Sequence, residues 1–361
     1  MRVLVLGAAG RSGREVAARL GRMCGVARVY LADGDAEALC RVASDLDGLP
    51  VSTRYLDVED EDCLLERMSE VDLAVGCVGP CHLHEERIAS AALRSGCDYL
   101  SLCDDAEAAR SLHALSSEAE RRGVRILCGC GMIPGISNLL ACRAASHLDD
   151  VRALSIAWFL RFSPALGSAA LAHILHAYGG RAPALRSGSI TAVRAGSWPE
   201  EVHFPPPVGW REVSLFAHPE PWSLSRVLPG LKEADLRAGF GDRGVHLALQ
   251  SLAWLCGDEQ AWPRREAALA VAGAMARRKS GNVLSSVVVR AEGRRRGMPA
   301  RRVLAIAGDY YRVTGAAVTA ALEYMLADGW APGVRFPEEV MDGPAAFERL
   351  RELGLRVMVG E

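Results

Sequence analysis

The chain has 361 residues, 50% hydrophobic and 24% charged, with a net charge of −2. That length buries a large core and implies two domains. The balanced charge gives no electrostatic basis for nucleic acid or an anionic membrane as partner, and no apolar run is long enough to cross a bilayer. The N-terminus enters a strand directly, so no signal peptide is expected. The 11 cysteines fall in or beside predicted elements and not in a loop framework, which predicts reduced thiols and a cytoplasmic location.

Residues Val3 to Gly13 read VLVLGAAGRSG, an apolar strand (Arg2–Leu6) running into three glycines spaced three apart. A helical pattern follows, with Val16, Leu20 and Met23 on one face. Glycines permit close approach of backbone to a ligand, and a helix start offers N–H groups to an anion. Gly7, Ala9, Gly10, Arg11, Ser12 and Gly13 are therefore the expected grip on a dinucleotide pyrophosphate. A second strand, Ala27–Ala32, leads to Asp33, an acid placed to accept from ribose hydroxyls. Further strands are predicted at Val51–Leu56 (followed by Asp57, a further cofactor contact), Leu73–Cys77, Tyr99–Leu102 and Arg125–Cys128. Helices fill the gaps, including His84–Ser95 and Glu107–Arg122. This alternation implies an α/β fold: an N-terminal Rossmann domain with a doubly wound parallel sheet, over residues 1–132.

The fourth strand ends at Val78-Gly79-Pro80, expected beside the nicotinamide half of a cofactor. The fifth ends Leu102-Cys103-Asp104-Asp105. Either aspartate fits a substrate contact or proton relay, and either fits the N-cap of the next helix. The sixth leads into Gly131-Met132-Ile133-Pro134-Gly135-Ile136-Ser137-Asn138, again glycine-rich backbone before a helix start. Met132, Pro134, Gly135 and Asn138, with Cys103, are the expected substrate contacts here.

Beyond Pro134 the texture changes to longer strands, Ala153–Phe162, Glu212–Ala217 and Val283–Ala291, between Pro- and Gly-rich turns. This predicts a second, α+β domain over 133–312 with a mostly antiparallel sheet. Val283–Ala291 and Arg302–Ala307 read as a hairpin around a Glu292–Arg301 loop. Helices at Thr314–Ala327 and Pro344–Leu353 close the chain. In Ala217-His218-Pro219-Glu220-Pro221 an extended backbone would set His218 and Glu220 on one side as a proton-transfer pair; a rigid turn with a surface histidine is the competing reading. His173 and His176 lie on a predicted helix. Arg161 and Arg211 suit a substrate carboxylate. Cys77, Cys81, Cys103, Cys128 and Cys130 would gather at strand ends but lack a paired knuckle spacing, so they read as small buried residues and no metal is expected.

GAAGRSG, Asp33, VGP at 78–80, DYLSL at 98–102 and GMIPGISNLLA at 131–141 together resemble the saccharopine dehydrogenase-like oxidoreductases. FPPPVGWREV at 204–213, AHPEP at 217–221, VTG at 313–315 and the 333–355 segment extend the resemblance over nearly the whole chain. It implies a nicotinamide-dependent enzyme, often a homodimer, that transfers hydride at the carbon of a C–N bond in an amino acid or amine. It also implies a C-terminal segment, 313–361, packed back on the Rossmann domain. His218, Glu220 and Asp104 are then the catalytic candidates and Arg211 a substrate contact. Reduction of a C=C or C=O bond, or nucleotide sensing without catalysis, remain alternative uses of the fold. The sequence departs from the family at CHLHEE after Pro80 and at LCDD, which leaves the amine open. Asp33 followed by Gly34 favours NAD over NADP, while Arg11 and Arg14 keep NADP open.

Overall fold

The computed structural model describes residues 1–256, 262–328, 330–341 and 343–360. The chain divides into Met1–Gly135 with Tyr311–Asp342 (unit 1), and Ile136–Tyr310 with Gly343–Glu361 (unit 2).

In unit 1 the apolar runs become β1 (Arg2–Leu6), β2 (Arg28–Asp33), β3 (Val51–Tyr55), β4 (Leu73–Gly76), β5 (Asp98–Ser101) and β6 (Arg125–Leu127). The helix Arg11–Leu20 turns Val16, Ala17 and Leu20 onto the sheet. Met23 lies past its end and is partly buried against the same core. The single helix expected over Glu107–Arg122 is two, Ala106–Ala114 and Ser116–Arg122. The break falls at Leu115, whose N–H bonds back only three residues to Leu112. Ser116 then turns its hydroxyl to the Val334 N–H, 3.1 Å away.

Unit 2 contributes β7 (Asp150–Leu160), β8 (Arg181–Arg186), β9 (Ser189–Arg194), β10 (Glu200–Phe204), β11 (Gly209–Leu215), β12 (Glu233–Phe240), β13 (Leu284–Arg295) and β14 (Met298–Asp309). The hairpin is tighter than expected. Glu292–Arg295 pair with Met298–Arg301, so the predicted loop shrinks to Arg296-Gly297. Central β7 runs parallel to β12 and antiparallel to β13. Alternation along β7 sends Trp158 and Phe159 to opposite faces. Phe159 packs with Phe204, Val213 and Val288, and Trp158 with Phe216 and Phe240.

The C-terminal residues serve both units. The helix Tyr310–Asp328 sets Val318, Leu322 and Met325 against Val5 and Leu31. β15 (Gly333–Arg335) pairs in parallel with β6, completing a seven-stranded sheet of order β15-β6-β5-β4-β1-β2-β3, parallel throughout. β16 (Met358–Gly360) instead pairs antiparallel with β14 in unit 2, making a nine-stranded sheet in which, among the described residues, β7 with β12 is the only parallel pair. The segment expected as one body on the Rossmann domain is thus split: residues up to 342 group with unit 1 and Gly343–Glu361 with unit 2. The reason lies in the tail's own pairing, because β16 finds the open edge of β14.

Unit 2 buries a neutral histidine. His246 Nε2 meets Gln250 Nε2 at 3.0 Å and Ser214 Oγ at 3.3 Å, and burial lowers its pKa to about 4. The unfolded chain takes up this proton near pH 6.5, so the stabilisation is whole above that pH and is lost as pH falls toward 4. We expect the wild type to lose about 3 kcal/mol more than His246→Gln between pH 7 and pH 4, measured by urea unfolding.

Candidate active site

The glycine turn of unit 1 is built by close packing. Gly7 sits at φ +76°, and a Cβ there would lie 2.7 Å from the Cys77 carbonyl oxygen. A Cβ at Gly13 would lie 2.2 Å from the Gly7 carbonyl oxygen, and one at Gly10 3.2 Å from the same atom. Gly10 is the N-cap of the helix Arg11–Leu20 in extended backbone (φ −69°, ψ 161°), with no side chain capping the first turn. Main-chain N–H groups at a helix start, in a cradle that side chains would fill, fit a dinucleotide pyrophosphate. Arg11 and Ser12 open that helix; Arg14, in its first turn, is held by Asp45 at 2.6 Å.

Asp33 does more than the sequence implied. Its Oδ2 accepts from the Ala9 N–H at 2.9 Å and its Oδ1 from the Asp35 N–H at 3.0 Å. The carboxylate therefore ties the end of β2 to the glycine turn. Asp57 is exposed and accepts from the Glu59 N–H at 2.9 Å, closing a local turn. Val78, Gly79 and Pro80 follow β4 and lead into the helix Cys81–Ser95. Asp105 is the cap that the sequence left open, its Oδ1 accepting from Glu107 and Ala108. Asp104 is half-buried and raises the pKa of Cys81 and Glu85. Cys103, Met132 and Pro134 are buried. Gly135, at φ +117°, has no room for a Cβ, which would lie 2.5 Å from the Gly131 oxygen.

In unit 2, His218 and Glu220 are both wholly buried, with Nδ1 and Oε2 2.7 Å apart. The extended geometry expected for this segment is not what joins them. Pro219 is helical (φ −75°, ψ −19°) and Glu220 starts the helix Glu220–Val227, so a tight turn folds the carboxylate onto the ring. Ser137 Oγ donates to Glu220 Oε1 at 3.0 Å, and Asn138 Nδ2 donates to Ser223 Oγ at 2.9 Å. Asn138 thus buttresses the helix that carries Glu220. The imidazole is walled by Trp158, Phe216 and His173, with ring centroids 5.8, 5.7 and 5.6 Å away.

Arg211 does not join this group. Its guanidinium lies over Phe159, 5.2 Å from the ring centroid, on the face of β7 opposite Trp158. Arg211 and Arg161 line one cavity of about 590 Å³ together with Trp210 and Arg243. The alternation of β7 that gives Trp158 to His218 is what places Arg211 elsewhere.

Sequence reasoning missed Glu85, a buried acid in unit 1. Its Oε1 accepts from Tyr99 Oη at 2.9 Å and Ser101 Oγ at 2.6 Å, and burial pushes its pKa up to about 7. The signal was present: Glu85 shares the helix face of Cys81, Ile88, Ala89 and Ala92, where an acid is out of place. Ser137 was visible only as a residue of a helix's first turn, because its partner lies 83 positions away.

These features define a class: a Rossmann-type dinucleotide-binding unit joined to a second unit with a mixed sheet. Residues 3–127 match the family model described as the saccharopine dehydrogenase NADP binding domain. A probable mitochondrial saccharopine dehydrogenase-like oxidoreductase of Arabidopsis thaliana is 34% identical over 87 residues, 23% of this chain and 19% of that protein. The matched segment thus spans about a fifth of that relative's length. Apo saccharopine dehydrogenase (L-Glu forming) from Saccharomyces cerevisiae has the same fold, with a TM-score of 0.69 at 15% identity and both chains covered in full. Residues 3–127 are thus similar to the dinucleotide-binding domain of the saccharopine dehydrogenases, and the likeness to the yeast enzyme is one of fold.

Close packing at the end of β4 gives a stability test. A Cβ at Gly76 would lie 2.0 Å from Tyr99 Oη, which Glu85 holds in place, whereas one at Gly34 meets only the Leu56 oxygen at 3.8 Å. Gly76→Ala is expected to cost about 2 kcal/mol in urea unfolding and Gly34→Ala no more than about 0.5 kcal/mol.

Proposed function

We propose that the protein oxidises an amine, or reduces the matching imine, at the carbon of a C–N bond in an amino acid or related amine, with NAD as coenzyme. The observation that carries this reading is the buried His218–Glu220 pair anchored by Ser137. A bound nicotinamide supplies the acceptor or donor of two electrons and a hydrogen at carbon. The chain's own residues then have to move a proton at nitrogen.

Glu220 Oε2 takes the His218 Nδ1–H, which leaves the lone pair at Nε2. In the oxidative direction Nε2 removes the proton from the ammonium, since only the free amine has electrons to form the C=N bond. In the reductive direction the same atom returns it. Ser137 holds the far oxygen of Glu220, so the carboxylate cannot swing away from the ring. Trp158 and Phe216 keep water from the imidazole and strengthen the His218–Glu220 interaction. This is the logic of a base oriented by a carboxylate, applied to an amine.

The preference for NAD rests on Asp33. Its negative charge at the end of β2 disfavours a 2′-phosphate there, and the Arg14 charge is already met by Asp45.

The test is a panel of lysine, saccharopine and related amines with NAD and NADP, read by absorbance of the reduced coenzyme. Turnover is expected with NAD and at least one amine. His218→Ala should lower kcat by about a hundredfold or more, and Glu220→Gln by less, with a shifted pH profile. No signal across the panel, or full activity in His218→Ala, would overturn the reading.

A further inference from the structure

Unit 1 buries a second polar cluster that the dinucleotide grip does not use. Cys81 opens the helix Cys81–Ser95 and Glu85 follows one turn later, so both lie on one helix face. Cys103 stands two residues beyond β5. A carboxylate oxygen of Glu85 and the sulfurs of Cys81 and Cys103 all lie within 4.8 Å of one another, and all three residues are buried. Cys103 Sγ donates to the Asp105 carbonyl at 3.6 Å, and its thiol also interacts with those of Cys81 and of Cys128, which follows β6. The charge that acts on Glu85 is Asp104, of its own sign. An acid sealed among thiols beside a second acid either keeps its proton or takes a cation that balances its charge.

We propose that Cys81, Glu85 and Cys103 form a zinc site, with Cys128 as the fourth donor. The donor chemistry selects the ion. Thiolates disfavour magnesium and calcium, and the carboxylate disfavours copper(I), which leaves zinc as the ion that takes both. Tyr99 and Ser101, donating to one Glu85 oxygen, act as the outer partners that orient a ligating carboxylate. In a tetrahedral zinc site with bonds of roughly 2.0–2.3 Å, neighbouring donors lie about 3.5 Å apart. Cys81, Glu85 and Cys103 therefore have to close by about 1 Å at most, a side-chain adjustment, whereas Cys128 lies outside that 4.8 Å set and has to move further.

On binding, each coordinating thiol releases its proton to solvent and its sulfur lone pair goes to the metal; nothing is oxidised. The contact with Cys103, and then burial, hold the Cys81 thiol well above its usual range, and burial does the same for Cys103; coordination has to displace those protons, so affinity rises with pH. The ion would clamp the helix after Gly79-Pro80 to the ends of β5 and β6, independently of the reaction proposed above.

The test uses the full chain, stripped with a chelator and titrated with cobalt(II) in mildly alkaline buffer. The expected result is one equivalent bound, with a sulfur-to-cobalt charge-transfer band and the intense visible bands of tetrahedral cobalt. The band should survive in Cys24→Ser/Cys40→Ser, which removes the two exposed thiols. It should weaken at least tenfold in Cys103→Ser and in Glu85→Gln. Absence of the band in the wild type overturns the proposal, as does its loss in the exposed-thiol variant or its persistence in Cys103→Ser. If either buried-site variant does not fold, the wild type and the exposed-thiol variant decide the matter alone.

Discussion

The constraint on which unit 1 depends is the absence of two side chains, at Gly7 and Gly13. The chain leaves β1 at Gly7 with its backbone against the Cys77 carbonyl at the end of β4, and the helix Arg11–Leu20 packs Gly13 onto the Gly7 carbonyl. Nothing larger than hydrogen fits at either contact. Because the backbone comes this close, the first-turn N–H groups stand at the carboxyl ends of the strands, where open parallel sheets hold their ligands. Asp33 reinforces the turn through the Ala9 N–H. A sheet with the same strands but a bulkier turn would keep its core and lose its grip.

Unit 2 solves a different problem, the burial of a titratable pair. His218 and Glu220 are removed from water, and each is given a defined partner before a substrate arrives. Buried rings on three sides, those of Trp158, Phe216 and His173, raise the value of that pairing, since a charge shared between imidazole and carboxylate is poorly screened there. The helical turn at Pro219 makes this possible by bringing two residues that are nearly adjacent in sequence into direct contact. Asn138 and Ser223 then fix the helix in place.

Most of unit 1 was legible because its signals are local. Most strands are short apolar runs, several elements stop at a glycine, as at Gly7, Gly96 and Gly123, and βαβ alternation leaves few topologies. β15 was not legible: Gly333–Arg335 is three residues long and gains its identity only by pairing with β6. The tail was misassigned for the same reason, since β16 is defined by the edge of β14. In the site, the glycines, Asp33 and the His218–Glu220 pair could be read from residue type and spacing. The Ser137 bond to Glu220 depends on tertiary packing, and so does the exclusion of Arg211 by the alternation of β7. Glu85 was readable as an acid on an apolar helix face.

The account rests on the glycine turn as the seat of a nicotinamide dinucleotide. Its most direct test is isothermal titration of the intact protein, and of Gly13→Val, with oxidised and reduced NAD and NADP. The account predicts saturable heat with at least one coenzyme for the wild type, strongest with NAD, and none for Gly13→Val although that variant keeps its helical circular dichroism. A wild type silent to all four, or a Gly13→Val variant that binds as tightly as the wild type, would contradict it.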